Sequence, residues 1–191
     1  MQFNKILNYL NSIEKLPAED IENITKALHI MKYKKNEDLI SNHSICDKIF
    51  FITKGVLRIF CVNERGLEKT HLIAVENQFC TNWASFINLS QNNTIIQSLE
   101  NTEVIYMYQQ DFFKLVESSS SFQKIYIKLL EDFQVYQTKR FEFVQSLDIK
   151  ERLTLFNENF PLLKNRLTNK VLASFLLITP EHCSSLKKNI L

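Results

Sequence analysis

The spacing of hydrophobic residues changes twice along the chain. Up to about residue 30, apolar side chains recur at helical spacing in two segments separated at Pro17. From Tyr33 to about Met107, short apolar runs alternate with turn-forming residues, which is typical of β-strands. Beyond Ser118 the helical spacing returns and continues toward the end of the chain. The pattern predicts an α+β fold in which helices flank a β-rich middle.

The β-rich middle contains at least five predicted strands. Turn-forming residues separate them at intervals of about 8–12 residues, which favours a sandwich or a barrel. The segment Asn63–Gly66 has the composition of a hairpin turn, because Gly66 is free to take a positive φ. Arg58 interrupts an apolar run and is expected to point outward. The predicted strands are residues 49–52, 56–62, 67–75, 94–99 and 103–108.

A long helix is predicted over residues 119–147. Its apolar residues are spaced alternately four and three apart, which is heptad spacing and predicts pairing with a second copy of the chain. The alternative is that this seam packs only against the chain's own β domain. The predicted dimer residues are Phe122, Tyr126, Leu129, Phe133, Tyr136, Arg140 and Phe143. A second apolar set is expected to face the β domain: Ile125, Leu130, Phe141 and Val144.

The last part of the chain, residues 148–191, ends in two short predicted helices joined by a tight turn. Thr168 can cap the first helix, and Thr179 followed by Pro180 suits the start of the second. Small hydrogen-bonding side chains early in the second helix, with lysines at its end, suit docking in the major groove of double-stranded DNA. An ordinary helical hairpin is the alternative. The predicted DNA-binding residues are Thr168, Asn169, Lys170, Thr179, Glu181, His182, Ser184, Ser185, Lys187 and Lys188.

The charge distribution agrees weakly with a polyanionic partner. The formal net charge is only +2, which by itself predicts no partner. Residues 151–191 carry six basic and three acidic side chains, whereas the first 150 residues carry 17 basic and 18 acidic ones. The positive excess therefore lies at the C-terminal end, where the DNA-binding helices are predicted.

No targeting segment, metal site or catalytic motif is predicted. The first sixteen residues lack the basic start of a signal peptide, and no run approaches the ~18 apolar residues of a membrane span. We therefore expect a cytoplasmic protein with no membrane partner. The cysteines form no C-x-x-C pair and are expected to be reduced and mostly buried. They are Cys46, Cys61, Cys80 and Cys183.

An enzyme is disfavoured, and no cofactor is predicted. The four histidines, at positions 29, 43, 71 and 182, are far apart, and no Gly-rich phosphate loop, G-x-S-x-G or H-E-x-x-H occurs. A haem ligand at His43 or His71 is a less favoured alternative to ordinary surface or strand histidines. A visible absorption spectrum distinguishes the two.

Five stretches, spread over nearly the whole chain, carry a family resemblance. Tyr33–Ile40 and Ile49–Phe60 are similar to the opening of a cyclic-nucleotide-binding β-roll. Ser98–Ile105 resembles its late strand pair, and Asp111–Leu115 the helix that follows. Ala173–Glu181 resembles a helix-turn-helix. In this order the stretches resemble the short members of the cyclic-AMP receptor protein/Fnr family of bacterial transcription regulators.

The resemblance implies three units and a function. These are a β-roll sensor over residues 1–118, a dimerisation helix over 119–147 and a helix-turn-helix domain over 148–191. The implied function is a dimeric, DNA-binding transcription regulator. The alternative is a β-roll signalling or interaction module whose helix-turn-helix no longer binds DNA.

The nucleotide-binding motif of the family is degenerate here. Its nucleotide binders hold the cyclic phosphate with a Gly-Glu pair and a later Arg, but Thr81 and Asn82 stand near the Gly-Glu positions, and no Arg lies between residues 66 and 139. Cyclic AMP is therefore not the expected effector, and the existence and identity of another small-molecule effector stay open. The candidate pocket residues are Thr81, Asn82, Trp83, Asn92, Asn93, Thr94 and Tyr126, with ordinary packing as the alternative.

Two departures affect the helix-turn-helix. Many members of the family carry an Arg for guanine where this chain has Ser185, so the DNA sequence read is expected to differ. The usual turn glycine is Leu177, which is strained if that position is left-handed.

Overall fold

A computed structural model of the chain describes residues 3–163 and 165–190, and within these the side chains of residues 146, 162 and 187–190 lie outside the description. Two four-stranded antiparallel sheets face each other, with strand orders β1-β8-β3-β6 and β2-β7-β4-β5. The strands are β1 His29–Tyr33, β2 Asp38–Ile40, β3 Lys48–Lys54, β4 Leu57–Val62, β5 Glu68–Ala74, β6 Phe79–Cys80, β7 Ile95–Ser98 and β8 Thr102–Tyr108.

In the described residues, eight α-helices surround and follow the sandwich. They are α1 Asn4–Ile13, α2 Ala18–Ala27, α3 Trp83–Asn88, α4 Gln109–Ser118, α5 Ser120–Ser146, α6 Ile149–Asn159, α7 Asn169–Leu176 and α8 Pro180–Ile190. A short 3₁₀ turn, Pro161–Leu163, separates α6 from α7. The α+β class, the sandwich and the long helix are confirmed. The short helix α3 was not expected from the sequence.

Strand β3 shows why its apolar run is continuous rather than alternating. Ile49 and Phe51 pack on the helical side of the sheet, in one core with α1, α2, α4 and α5. Phe50 and Ile52 point into the sandwich, in a second core with the facing sheet. Both faces of the strand are therefore buried, which requires hydrophobic residues at consecutive positions.

Arg58 points away from the interior of the sandwich, as expected, because its neighbours Leu57 and Ile59 lie in the core between the sheets, but it is buried rather than exposed. Its side chain is 5% exposed. Nε and Nη2 donate to Gln97 Oε1 at 3.0 and 2.7 Å, and Nη1 donates to Glu68 Oε2 at 2.6 Å. The guanidinium also lies 3.7 Å from the centre of the Phe60 ring. Arg58 is accommodated among apolar neighbours because its donors are paired and its plane is stacked.

The long helix and the next helix begin at well-formed caps. The Ser119 hydroxyl accepts a hydrogen bond from Phe122 N at 3.0 Å, which fixes the start of α5. Asp148 and Glu151 form a reciprocal capping box at the start of α6. The Ser119 cap explains why the start of α5 agrees closely with that of the helix predicted over residues 119–147.

Helices α6–α8 form a third core that also includes part of the sandwich. Phe156, Leu172 and Leu176 are buried together with Val56 and Ile73 of the sheet side. At its margin, Arg166 donates through Nη2 to Glu76 Oε1 and Glu100 Oε1, both at 2.7 Å. Burial and paired charge together hold the C-terminal helices against the sandwich.

The turn between α7 and α8 contains a left-handed leucine. Leu177 has φ 59° and ψ 44°, and it caps α7 through an N–H that donates to Ala173 O. A side chain with a Cβ costs roughly 1–2 kcal/mol in this region, and Leu177 is 40% exposed, so little packing offsets the strain. The strain expected of a left-handed Leu177 is therefore present.

Replacing Leu177 with glycine is expected to stabilise the protein. Relief of the left-handed strain exceeds the flexibility that glycine adds to the unfolded chain, so the free energy of unfolding should rise by about 1 kcal/mol, or the Tm by roughly 2–4 °C. Thermal unfolding followed by circular dichroism measures this. Leu67→Gly, at an exposed residue without a positive φ, is the control and should not stabilise. A lower Tm for Leu177→Gly would contradict the assignment of strain.

The Arg166–Glu76 contact predicts a specific acid sensitivity. Its hydrogen bonds lower the pKa of Glu76 from 4.5 to about 2. A depressed folded-state pKa stabilises the protein above the unfolded value, and this contribution is lost as the pH falls from about 4.5 through about 2. Glu76→Gln should lower the free energy of unfolding by about 1 kcal/mol at neutral pH and reduce its decline toward pH ~2.

Urea unfolding at several pH values tests this expectation. Glu22→Gln is the matched control, because Glu22 forms an exposed ion pair with Lys26 on α2. An unchanged pH dependence in Glu76→Gln would show that the contact does not hold the C-terminal helices.

Candidate functional site

A cavity of about 370 Å³ lies between the sandwich and the long helix α5. We refer to it as the sheet chamber. Four of the candidate pocket residues line it: Thr81, Asn82, Trp83 and Thr94. The others in its lining are Ile59, His71, Leu72, Ala84, Phe133, Gln137 and Arg140.

The polar pocket residues are already hydrogen-bonded within the protein. The Thr81 hydroxyl donates to Lys48 O at 2.9 Å. Asn82 caps α3, because its Oδ1 accepts from Ser85 N at 3.1 Å, while its Nδ2 donates to Thr94 Oγ1 at 2.9 Å. The residues near the family's Gly-Glu positions therefore serve to shape the loop, and their hydrogen-bonding groups are used locally.

The three other candidate pocket residues lie outside the chamber lining. Asn92 is 5% exposed and holds a loop, since its Nδ2 donates to Ser44 O at 2.7 Å. Asn93 is exposed and does not line the chamber. Tyr126 packs in the helical core, with ring centres 5.6 and 5.7 Å from those of Phe112 and Phe113.

Arg140 is the cation of the chamber, and sequence reasoning placed it only in the dimer seam. Its Nη2 donates to Thr70 O of β5 at 3.2 Å and to Phe175 O of α7 at 2.5 Å. The guanidinium lies 4.0 Å from the centre of the Phe175 ring, and Nη1 is buried without a hydrogen-bond partner among the described residues. Burial lowers the pKa of Arg140. The sequence signal that could have identified this role is that Arg140 is the charged residue at a position of an otherwise apolar seam.

His71 and Tyr136 complete the polar side of this region. Partial desolvation, and then the charge of Arg140, lower the pKa of His71, which favours a neutral ring at neutral pH. The His71 Nε2 lies 3.2 Å from Cys61 Sγ. The Tyr136 hydroxyl donates to His71 O at 2.9 Å. The long helix is thus attached to β5 by side chains on two successive turns.

Most of the predicted dimer seam faces the chain itself. Phe122 and Leu129 are buried in the helical core, and Tyr126 and Phe133 pack against the same core. Phe143 contacts Phe175, with ring centres 5.9 Å apart. The seam residues from Phe122 to Phe143 are therefore engaged by the β domain and α7, which corresponds to the alternative considered for this stripe.

The opposite face of α5 carries the exposed apolar residues. Ile127, Val135 and Phe141 are 50%, 52% and 66% exposed. The expectation that Phe141 faces the β domain is wrong, whereas Ile125, fully buried, does face it. Phe141 was assigned to the wrong face because the apolar spacing shows two apolar stripes on the helix but does not show which partner each stripe contacts.

Helix α7 is enclosed, and its start is held by the sheet. Every side chain from Val171 to Leu176 is buried. The Thr168 hydroxyl accepts from Val171 N at 3.3 Å, as predicted for an N-cap. Lys170 forms an ion pair with Glu68 of β5, and the hydroxyls of Thr70 and Ser174 lie 2.6 Å apart.

Helix α8 presents its first turns to solvent. Thr179 accepts a hydrogen bond from His182 N at 3.3 Å, and Glu181, His182 and Ser185 are exposed. Ser184 is half-buried and accepts from Asn169 Nδ2 at 3.2 Å. The fully buried Cys183 anchors the inner face. Of the remaining predicted DNA-binding residues, Lys187 and Lys188 have side chains outside the described set.

Other kinds of site find little support in the described part of the chain. No group of three or more His, Cys, Asp or Glu residues there could hold a metal ion. None of the four cysteines, all of which lie in the described part of the chain, forms a disulfide; Cys46, Cys80 and Cys183 are buried, and Cys61 is half-buried. None of the helices there combines the length and the apolar character needed to cross a membrane.

Comparison with known proteins agrees with this architecture. The cyclic nucleotide-binding domain family matches residues 30–119. No curated protein sequence compared with the chain matches it. Three solved structures are similar in fold. CLP, the c-di-GMP responsive global regulator of Xanthomonas campestris, is 15% identical over 91% of each chain with a TM-score of 0.73, and FixK2 of Bradyrhizobium japonicum is 9% identical over 85% of this chain and 84% of its own with a TM-score of 0.74. A putative crp/fnr-family transcriptional regulator of Eubacterium rectale is 15% identical over 95% of this chain and 87% of its own with a TM-score of 0.74.

The matched residues run from β1 to the end of α4, so they include the whole sandwich. The structural likeness covers 91% and 95% of this chain in two of these comparisons, so it extends beyond this domain. The chain therefore contains a region matching the cyclic nucleotide-binding domain, and its overall fold is similar to that of regulators that include a crp/fnr-family protein.

Proposed function

We propose that the chain is a dimeric transcription regulator that binds double-stranded DNA. In this proposal residues 1–118 form a sensor, residues 119–147 a dimerisation helix and residues 148–191 a helix-turn-helix domain, and the chain is not an enzyme. The observation that carries the proposal is the outer face of α8. Its first turns are exposed beside a capped N-terminus, while its inner face is anchored by Cys183. Such a helix can enter the major groove while its inner face stays packed against the rest of the domain.

Different side chains of the helix-turn-helix domain have different tasks on DNA. Glu181 can accept a hydrogen bond from cytosine N4, and His182 and Ser185 are placed to meet other base edges. Thr168, Thr179 and the helix N-termini suit phosphate oxygens. Asn169, Ser184, Lys187 and Lys188 complete the proposed DNA-binding set.

Lys170 is the exception, because Glu68 holds it on the sheet. Its ammonium can contribute to phosphate binding only after it leaves Glu68. Part of the positive charge of the helix-turn-helix domain is therefore neutralised by Glu68, and DNA binding is expected to release this ion pair.

The dimerisation helix pairs two copies through its exposed face rather than through the seam first considered. Ile127 and Phe141 are fourteen positions apart, so they recur on one face at heptad spacing, and Val135 lies beside that line. Their exposure is unfavourable in an isolated chain, and a second copy would bury them. Pairing there leaves the contacts of Tyr136 and Arg140 intact.

The sheet chamber is the proposed effector site, and Arg140 is the proposed link to the DNA-binding helices. Arg140 lines the chamber and at the same time donates to Phe175 O of α7. An effector that attracts the guanidinium would weaken that bond and shift the orientation of α7 and α8. Cyclic AMP is not the proposed effector, because Thr81 and Asn82 are hydrogen-bonded internally.

A signalling module without DNA binding is the second candidate. It is favoured by the strained Leu177, by Ser185 in place of an Arg and by the pairing of Lys170 with Glu68. In that case the face of α8 would contact a protein. Salt dependence separates the two candidates, because binding driven by phosphate contacts weakens steeply as salt rises.

A mobility-shift titration of the full chain on mixed genomic DNA fragments tests DNA binding. Binding is expected at low salt, with an affinity that falls by roughly 10³-fold or more between about 50 and 200 mM salt. Ser185→Glu should weaken binding by at least about tenfold, since it would bring a carboxylate into the major groove of a polyanion.

The control for that variant is Ser120→Glu, which adds the same charge at the exposed start of α5. It should bind as the unaltered chain does. Absence of binding at low salt contradicts the proposal, and equal losses in both variants would assign the effect to net charge alone, away from the α8 face.

Calorimetric titration with cyclic AMP tests the proposed chamber chemistry. No heat of binding is expected at micromolar concentrations, because none of the described lining residues is a carboxylate that could accept from the ribose, and no Arg lies between residues 66 and 139 to hold the phosphate. A dissociation constant in the micromolar range or tighter would falsify this expectation.

A further inference from the structure

A second and larger cavity lies away from the sheet chamber, where the end of α5 meets α6 and α7. Its volume is about 600 Å³, which is in the range of small-molecule sites. We refer to it as the hinge cavity. Its apolar walls are formed by Phe143, Leu147, Leu155, Phe156, Phe160 and Phe175. Among the residues that the structure describes, Arg140 alone lines both cavities.

The aromatic walls are fixed by the fold. Phe156 and Phe175 are 2% and 4% exposed, so the backbone of α6 and α7 and the core behind them determine where these rings lie. The ring centres of Phe156 and Phe175 are 5.6 Å apart, and those of Phe156 and Phe160 are 5.3 Å apart. In front of these fixed rings, the half-buried Phe143 and Phe160 offer ring surface to the cavity, so a planar aromatic ligand gains offset or edge contacts without reorganising the site.

The charged side chains of the hinge cavity favour an anion. Lys139 and Arg140 line it together with a single carboxylate, Glu142. Lys139 is exposed and takes part in none of the ion pairs of the described residues.

Arg140 adds a second reason to expect an anion. Its guanidinium donates only to backbone carbonyls, and Nη1 is buried without a hydrogen-bond partner among the described residues. A partly buried cation without a carboxylate partner is electrostatically unfavourable, and a ligand anion near it would reduce that cost.

We propose that the hinge cavity binds an aromatic carboxylate of about two fused rings. The rings lie among Phe143, Phe156 and Phe175, and the carboxylate is directed toward Lys139 and Arg140. The bound molecule contacts α5, α6 and α7 together, so it fixes the angle between the long helix and the C-terminal helices. This site is separate from the sheet chamber, and its occupancy does not depend on whether the chain binds DNA.

Calorimetric titration of the full chain with naphthoate tests the proposal. Saturable binding with one site per chain is expected. Leu155→Trp places an indole in the hinge cavity and should weaken binding at least about tenfold, because the ring space is filled. Asn159→Trp, at an exposed residue of the same lining, is a second filling variant in case the first fails to fold.

Ala84→Trp is the matched control for position. Ala84 is exposed and lines the sheet chamber but not the hinge cavity, so this variant should bind naphthoate as the unaltered chain does. No saturable binding to the unaltered chain overturns the proposal. Weakened binding in Ala84→Trp with unchanged binding in the two filling variants also overturns it, because the ligand would then occupy the sheet chamber.

The charge of the ligand is tested separately. Naphthamide, which has the same rings without the charge, should bind about tenfold more weakly than naphthoate. Lys139→Gln should weaken naphthoate binding about two- to fivefold, as expected for a partly exposed ion pair. Lys128→Gln, on the same helix but outside the cavity, should not change it. Equal affinity for acid and amide would overturn the anion preference.

Discussion

The position of Arg140 is the constraint on which the relative arrangement of the parts depends. One guanidinium on the long helix donates to a carbonyl of β5 and to a carbonyl of α7, and it stacks on Phe175. Sandwich, long helix and C-terminal helices therefore meet at a single side chain. Since the donors face carbonyls and not a carboxylate, the contact orients the three parts but leaves a positive charge uncompensated. Because Arg140 has no carboxylate partner among the described residues, an added anion would bind near it and could change its contacts.

Around Arg140 the C-terminal helices are held by contacts of two kinds. Burial of apolar side chains such as Phe156 and Leu176 stabilises the packing of these helices on the sandwich but does not fix their orientation, because the hydrophobic effect is not directional. The pairs Arg166 with Glu76 and Lys170 with Glu68 are polar and partly exposed, so they add orientation but little stability. Such a boundary can rearrange at modest cost. The same helices that are proposed to read DNA are thus connected to the sandwich by contacts that salt, acid or a ligand can weaken.

Much of the fold was predictable from the sequence, because local signals dominate there. Short apolar runs between turn-forming residues located five of the strands, and Thr168 marked a helix start through its capping chemistry. Contacts between distant segments were less predictable. The apolar spacing of α5 could not assign Phe141 to the outside, and nothing local showed that Arg58 would be buried beside Glu68. In the sheet chamber, the loop residues Thr81 and Asn82 were found, but His71 and Arg140 were not, since they approach it from separate elements.

In the proposed function, two copies of this chain present the exposed face of α8 to two neighbouring major grooves. Selection of bound sequences from a random pool of double-stranded DNA measures whether they do. Enrichment of a two-fold symmetric site is expected, with half-sites centred about 10 base pairs, or one helical turn, apart. Enrichment of a single unrepeated half-site would contradict the dimeric arrangement, and a pool that stays random would contradict DNA recognition itself.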